Sequence, residues 1–202
     1  CADKAADMIE VKTRAAPTDY SAENGVFMRP NDTARTWVHD AITRLEQEAA
    51  RSADTHLLKL DIARFPGIDF YFKDESSHPT GSLKHRLARS LFLYALCNGR
   101  LQEGQSVMDA SSGSTAISEA WFARLLGLKF TAVMPDCTTP RKISVLQALG
   151  AECDLVPAGV DASQHARASA AAQSACYLDQ FGLAERATDW RGNNNIAESI
   201  LS

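Results

Sequence analysis

Hydrophobic positions along the chain alternate between helical and strand-like spacing. Apolar residues recur at helical spacing over 33–50, which predicts an amphipathic helix. Two short runs, 57–60 and 68–72, have the apolar and aromatic composition of strands. A turn-rich loop over 73–82 then leads to a second predicted helix over 83–97.

The rest of the chain repeats a strand-then-helix pattern at short intervals. Predicted strands and helices follow one another at 106–109, 115–126, 130–134, 140–149, 153–156 and 162–175. This alternation indicates βαβ units, and so an α/β fold in which a parallel sheet carries helices on both faces. Ligands bind such sheets at the carboxyl ends of the strands, where the loops over 73–82 and 110–114 are expected.

Composition narrows the classes of function. The 202 residues include 21 basic and 25 acidic ones, and this formal charge of -4 argues against nucleic-acid binding. Apolar runs are shorter than the roughly 20 residues that span a bilayer, so no membrane segment is expected. The five cysteines form no CxxC pair, which favours a reducing, cytoplasmic compartment, and the histidine spacing predicts no metal site.

The loop after the second predicted strand carries a lysine at the start of a helix. Lys84 follows a Pro-Thr-Gly turn, where the positive end of the helix dipole and the nearby Arg86 disfavour an ammonium ion. Amines become nucleophilic in such surroundings, as in lysines that form Schiff bases. On this loop alone, a solvated lysine on a polar helix face is the stronger interpretation.

A second loop, 110–116, joins a predicted strand to a predicted helix and consists of small residues. Its backbone N–H groups and hydroxyls can hold a carboxylate or a phosphate at the helix start. Taken alone, it also fits an ordinary turn in which Ser114 caps the helix. It does not match the GxSxG sequence of a nucleophile elbow, and the chain has neither GxGxxG nor a P-loop.

Several segments match one family pattern in the same order. The chain reads HPTGSLKHR at 78–86, SSGSTA at 111–116, ALGA at 148–151 and DQF at 179–181. This set resembles the pyridoxal-phosphate enzymes of fold type II, which include cysteine synthase, cystathionine β-synthase and cysteine desulfhydrase. The resemblance runs from about Thr33 to the C-terminus and implies a fold like that of the tryptophan synthase β-subunit. It favours the functional interpretation of both loops.

The resemblance implies roles for individual residues. Lys84 corresponds to the lysine that forms a Schiff base with pyridoxal 5'-phosphate and, once released, removes the substrate Cα proton as general base. Gln180 corresponds to a glutamine that contacts the substrate carboxylate, and Ser114 replaces an asparagine beside the cofactor's 3-hydroxyl. The residues that correspond to the loop gripping that carboxylate are Ser111, Ser112, Gly113 and Thr115.

Departures from the common pattern indicate a subfamily. His78 stands where asparagine is common, and Ala116 replaces a glycine. The SSGSTA sequence and the segment 185–195 resemble the L-cysteine desulfhydrase branch, which implies β-elimination from L-cysteine to sulfide, pyruvate and ammonia. The alternatives are β-replacement that forms cysteine, and a non-catalytic binding protein or inactive fragment. The resemblance also implies a small amino-acid substrate and a homodimer.

The polar, irregular N-terminal segment and the resemblance together predict how the chain is organised. Residues 1–32 are expected to form an N-terminal arm and residues 33–202 the N-terminal part of the catalytic domain, with a smaller mobile subdomain at about 80–175. The glycine- and threonine-rich loop that holds the cofactor phosphate in the family does not occur before Ser202. We therefore expect the chain to correspond to roughly the first three-fifths of a full enzyme, with the second half of the fold incomplete.

Overall fold

The computed structural model describes residues 32–51, 54–189 and 195–201, so the predicted arm lies outside the described residues except for its last position. In chain order the helices and strands are α1 (Asp32–Arg51), β1 (Leu57–Leu60), β2 (Phe70–Lys73), α2 (Lys84–Cys97), β3 (Val107–Ala110), α3 (Ser114–Leu126), β4 (Phe130–Pro135), α4 (Pro140–Ala148), β5 (Glu152–Val156), α5 (Ala162–Ala172), β6 (Cys176–Tyr177), α6 (Gln180–Thr188) and α7 (Ile196–Leu201). A short 3₁₀ turn, Glu75–Ser77, lies between β2 and α2.

Four parallel strands form the main sheet, in the order β5-β4-β3-β6. Val107 of β3 pairs with Phe130 of β4, and Ala132 of β4 pairs with Cys153 of β5. The predicted parallel sheet is therefore confirmed. β1 and β2 form a separate antiparallel ribbon, whose pairing the sequence pattern does not indicate.

Helices cover both faces of the sheet because successive strand residues point to opposite sides. In β4, Ala132 and Met134 pack into the larger core with α2 and α3, whereas Val133 packs into a smaller core with α5. Phe92 of α2 and Phe122 of α3 are fully buried in the larger core, and burial of each ring stabilises the fold by about 2–3 kcal/mol. The predicted arrangement, with helices on both faces, is confirmed.

Most predicted elements are confirmed, with small shifts at their ends. The strand predicted over 68–72 begins at Phe70, and the helix predicted over 162–175 ends at Ala172. The sequence pattern does not predict the last strand or the last two helices. β6 has only two residues, too few for a visible alternation, and α6 begins directly after Asp179, whose φ of 59° turns the chain between them.

Candidate functional site

A cleft of about 380 Å³ opens at the carboxyl ends of β3 and β4, where this fold class predicts a ligand site. The loop between β3 and α3 lines one part of it, and Asp161 and Ser163 at the start of α5 line another. Phe181, which is 72% exposed, also faces the cleft. The cleft is therefore built from strand ends, two helix starts and one aromatic ring.

The serine loop, residues 111–113, is held by its own hydrogen bonds. The N–H of Ser111 donates to the carbonyl of Val133 over 3.0 Å. The Oγ of Ser111 accepts long hydrogen bonds from the N–H groups of Gly113 (3.4 Å) and Ala116 (3.3 Å), and so it caps α3. Because Oγ is the acceptor in both contacts, its own hydrogen remains available to an acceptor in the cleft.

Gly113 lines the cleft beside Ser112, and the fold itself gives no reason for a glycine there. Its backbone has a φ of -122°, which any residue can adopt, and a Cβ at this position would meet no protein atom within 4 Å. The close approach of a ligand would supply the missing reason. Of the other two predicted residues of this segment, Thr115 is buried and Ser114 is exposed.

Gln180 is buried next to the same strand end. Its side-chain Nε2 donates to the carbonyl of Ala110 over 2.8 Å, and its backbone N–H donates to Oδ2 of Asp109 over 3.1 Å. These contacts attach the start of α6 to the end of β3. The structure thus places three of the predicted site residues in the lining of the cleft, Ser111, Ser112 and Gly113. Gln180 is not part of that lining, but it is bonded to Ala110, which is.

Lys84 is the first residue of α2, and its side chain is exposed. Its backbone N–H donates to Oγ of Ser82 over 3.1 Å at the start of the helix. Among the described residues, the side-chain amine has no hydrogen-bond or ion-pair partner. Lys84 does not line the cleft. Its position relative to the serine loop is therefore set by the contacts of the segment that leads into it.

Side-chain hydrogen bonds join the lysine loop (residues 78–83, which lead directly into Lys84) to α3. Oγ1 of Thr80 lies 2.9 Å from Oγ of Ser118, which is fully buried. The Ser118 hydroxyl lies 3.0 Å from the carbonyl of Ser114, to which it can donate. The two loops that the sequence pattern singles out are therefore linked through two hydroxyl groups.

His85, the residue after the lysine, lies in the core and was not identified from the sequence as a site residue. Its Nδ1 lies 3.1 Å from Oγ1 of Thr80, and its Nε2 lies 3.1 Å from Oε1 of Glu48. Its ring stacks on that of His78 with centroids 5.1 Å apart and contacts the ring of Phe122 at 4.6 Å. His85 thus joins the lysine loop to α1 and α3.

The buried side chain of Arg86 forms an ion-pair cluster with carboxylates from two other segments. Its Nε donates to Glu75 over 2.8 Å, and its Nη2 donates to Asp54 over 2.6 Å and to Ser199 of α7 over 3.1 Å. Burial alone would raise the pKa of Glu75, but hydrogen bonds, chiefly from Arg86, lower it to about 2. Glu75 precedes the lysine loop and Arg86 follows it, so the cluster joins the two ends of that loop to segments that lie before and after it in the chain.

The described ranges 32–51, 54–189 and 195–201 contain neither a candidate membrane span nor a candidate metal site. No helix within them is both long and apolar enough to cross a membrane. Their His, Cys, Asp and Glu side chains form no cluster of three or more that could hold a metal ion. Cys137, Cys153 and Cys176 are free thiols.

Comparison with known proteins gives matches along most of the chain. The family model described as "Pyridoxal-phosphate dependent enzyme" matches residues 51–202. The chain is 52% identical over 180 residues to the L-cysteine desulfhydrase Cds1 of Mycobacterium tuberculosis (strain ATCC 25177 / H37Ra), across 87% of this chain and 49% of that protein. It is 36% identical over 117 residues to a putative cysteine synthase of Sinorhizobium fredii (strain NBRC 101917 / NGR234), across 57% of this chain and 32% of that protein. The chain thus spans about half the length, or less, of these curated relatives.

Solved structures show the same fold. A hydrogen sulfide-producing enzyme from Fusobacterium nucleatum matches with a TM-score of 0.63 and 26% identity, over 80% of this chain and 51% of that chain. O-ureido-L-serine synthase matches with a TM-score of 0.59 and 28% identity, over 71% of this chain and 43% of that chain.

Proposed function

The chain belongs to the pyridoxal-phosphate dependent enzyme family, and from this premise we propose that the whole protein releases sulfide from L-cysteine by β-elimination, leaving pyruvate and ammonia. The observation that carries the proposal is the 52% identity with an L-cysteine desulfhydrase, over a span of 180 residues that must include both the lysine loop and the serine loop. Atoms balance when one water is consumed: cysteine and water give pyruvate, ammonia and hydrogen sulfide.

The residues present fit pyridoxal 5'-phosphate. Lys84 would hold it through Nζ, an amine with no competing partner among the described residues. Ser114, exposed in the first turn of α3, would lie beside it in place of the family's asparagine. When bound, the cofactor supplies an aldehyde for the amine and an electron-withdrawing ring that stabilises negative charge at the substrate Cα.

The serine loop would bind the substrate carboxylate at the start of α3. The first N–H groups of a helix have no partner within it, and the helix dipole favours an anion there. The hydroxyls of Ser111 and Ser112 add donors, and Gly113 leaves room for the carboxylate to approach the backbone. One amide hydrogen of Gln180 is bonded to Ala110, and its second is available to the carboxylate.

Lys84 would then move the proton that starts the reaction. With the carboxylate held at the serine loop, the substrate amine would replace Nζ of Lys84 at the cofactor aldehyde, and the freed Nζ would take the proton from Cα. The sulfur would then depart from Cβ with the electrons of the broken bond, as sulfide. Two features support this role: the amine is exposed, and the loop that carries it is joined to α3 by the Thr80 and Ser118 hydroxyls. Lys84 would thus act on a substrate whose position is fixed by a neighbouring segment.

β-Replacement is the second candidate function. It is favoured by matches to cysteine synthases, among them the protein of Sinorhizobium fredii at 36% identity. The same binding and proton-transfer residues serve both reactions, which differ in whether a sulfur nucleophile adds after the leaving group departs. The identity of the products distinguishes them: pyruvate and sulfide from cysteine, or cysteine from an activated serine and sulfide.

The test uses the full-length protein loaded with pyridoxal 5'-phosphate. We expect it to release pyruvate and sulfide from L-cysteine in equal amounts and to absorb visible light through the lysine-bound cofactor. Lys84→Ala should abolish both signals. Lys129→Ala, which removes an exposed lysine next to the amino end of β4, should change neither. A Lys84→Ala protein that keeps the visible absorption, or a natural protein with neither product pattern, would overturn the proposal.

Assembly and compartment are part of the same proposal. We propose a homodimer in the cytoplasm that acts on a small amino acid. The resemblance to the cysteine synthase group supports the dimer, and the free thiols of Cys137, Cys153 and Cys176 suit a reducing compartment. Sedimentation equilibrium of the full-length protein tests the dimer, since a monomer at micromolar concentration would contradict it.

A further inference from the structure

Two carboxyl groups lie in the core behind the serine loop, Asp109 at the end of β3 and Glu119 on α3, and both residues are 0% exposed. Oδ1 of Asp109 accepts the N–H of Ala110 over 2.7 Å, and Oδ2 accepts the N–H of Gln180 over 3.1 Å. A single carboxylate therefore fixes both the strand end that leads into the serine loop and the start of α6. The proposed function assigns binding of the substrate carboxylate to residues on both of these segments.

Glu119 has a different environment. Neither of its oxygens meets a donor group among the described residues. An unpaired charge in a dry interior costs several kcal/mol, so the neutral acid is the favoured form of this side chain. Burial is the main cause that raises the pKa of Glu119 well above its usual value, and the adjacent Asp109 raises it further. A side-chain hydrogen bond joins Glu119 to Asp109, and two carboxyl groups can form one only when a proton lies between them. Glu119 therefore donates this proton, and Asp109 accepts it.

We propose that Asp109 and Glu119 form a positioning pair that shares one proton and holds Gln180 and the serine loop in the arrangement that binds the substrate carboxylate. This inference rests on the proposed function. With the proton in place the pair bears one negative charge, which two N–H groups stabilise. Without it, two negative charges would lie behind a site for an anion, where they would repel each other and the substrate.

Two of the other titratable groups that face Asp109, Cys176 and Tyr177, stay protonated over the neutral pH range. Burial raises the pKa of Cys176 to about 11 and that of Tyr177 to about 12, so both stay neutral. Asp179 also acts on Asp109, and its own carboxylate is paired with Arg167 over 3.2 Å. A change in substrate binding between neutral and alkaline pH that depends on residue 119 would therefore report the shared proton.

The test compares the natural protein with Glu119→Gln and Glu119→Leu, all full-length and loaded with pyridoxal 5'-phosphate. The glutamine amide donates to Asp109 at every pH, whereas leucine donates nothing. We expect KM for L-cysteine to rise with pH more steeply in the natural protein than in Glu119→Gln. Changes in the protonation of L-cysteine itself affect KM equally in both proteins, so they do not contribute to the difference between them. Glu119→Leu should raise KM about tenfold to a hundredfold, the worth of a charge-assisted hydrogen bond, with a smaller change in kcat.

Infrared spectroscopy supplies a readout that does not depend on turnover. The natural protein should show the carbonyl band of a buried protonated carboxylic acid at pH 7. Glu119→Gln should lack this band, and Lys84→Ala should keep it. The exposed Glu152→Gln on β5 serves as the matched control and should leave both the band and KM unchanged. If Glu119→Leu does not fold, Glu119→Gln and the spectrum still decide.

The outcomes separate this inference from the proposed function. If the acid band is absent at pH 7, or if Glu119→Gln keeps the full pH dependence of KM, the shared proton is wrong whatever the enzyme catalyses. If the band is present and Glu119→Gln removes it, but the natural protein makes cysteine instead of sulfide, the shared proton is supported and the proposed β-elimination is wrong. If the protein turns over neither substrate, a band that Glu119→Gln removes still supports the pair, and its absence still overturns it.

Discussion

Nε2 of His85 lies 3.1 Å from Oε1 of Glu48 in the core, so the residue that follows the lysine is fastened to the first helix of the described chain. The same ring reaches Thr80 through Nδ1, and hydroxyl contacts continue from Thr80 through Ser118 to the start of α3. An exposed lysine cannot fix its own position by packing. Its placement depends on buried neighbours, and this dependence can be measured.

The first prediction concerns Thr80→Val, which keeps the shape of the side chain and removes Oγ1. The change breaks the contacts to His85 and Ser118 and leaves a ring nitrogen of His85 buried without that partner. We expect the free energy of unfolding to fall by about 1–3 kcal/mol. Cofactor loading should weaken as well, because the lysine loop is no longer joined to α3. Urea unfolding measures the first effect, and titration of the visible absorption measures the second.

Thr80→Ser is the matched control, because serine retains the hydroxyl group. Its stability should stay within about 1 kcal/mol of the natural protein, since only a methyl group is lost. Cofactor loading should be unchanged. If Thr80→Val and Thr80→Ser load the cofactor equally well, the hydroxyl link has no part in positioning Lys84.

The sequence predicts most of the fold because local spacing carries the needed information. The strand-and-helix alternation from residue 106 onward predicts the parallel sheet, and the structure has helices on both of its faces. The two loops that carry candidate chemistry are also visible as motifs. What spacing does not reveal is the pairing of β1 with β2, because an aromatic, alternating run fits a ribbon and a sheet equally well.

The sequence pattern fails mainly to predict contacts between residues that are distant in the chain. The segment Lys84-His85-Arg86 reads as a polar helix face, yet His85 and Arg86 are 3% and 4% exposed. Their partners, Glu48 and Glu75, belong to other segments, and no local period connects them. Glu119 is different, because a charged residue within an apolar helical stripe is visible in the sequence as a candidate buried carboxyl group.

The second prediction concerns Gly113→Ala. Because the backbone conformation suits any residue and the new Cβ meets no protein atom within 4 Å, the free energy of unfolding should change by no more than about 0.5 kcal/mol. The same Cβ would occupy the space through which the substrate carboxylate approaches the loop. KM for L-cysteine should therefore rise at least tenfold, an effect of about 1.4 kcal/mol. Steady-state kinetics and urea unfolding test the two halves separately.

Gly127→Ala provides the opposite control at the other end of α3. Gly127 has a φ of 71°, which strains any residue with a Cβ, so its replacement should cost about 1 kcal/mol of stability. It lies outside the cleft and should leave KM unchanged. A Gly113→Ala protein that loses stability like Gly127→Ala but binds substrate normally would show that this glycine serves the fold.

The third prediction concerns acid stability and Glu75. Hydrogen bonds, chiefly from Arg86, outweigh burial and lower the pKa of Glu75 from 4.5 to about 2. Between these values the unfolded chain binds more protons than the folded one, so the stabilisation is complete above about pH 4.5 and is lost as the pH falls toward 2.

Glu75→Gln should therefore lower the free energy of unfolding by about 3 kcal/mol at pH 7 and by less at pH 3. Urea unfolding across this range measures the difference, and Asp69→Asn, which removes an exposed ion pair with Lys59, should cost at most about 1 kcal/mol. If Glu75→Gln lowers the free energy of unfolding by the same amount at pH 7 and at pH 3, the lowered pKa of Glu75 is wrong.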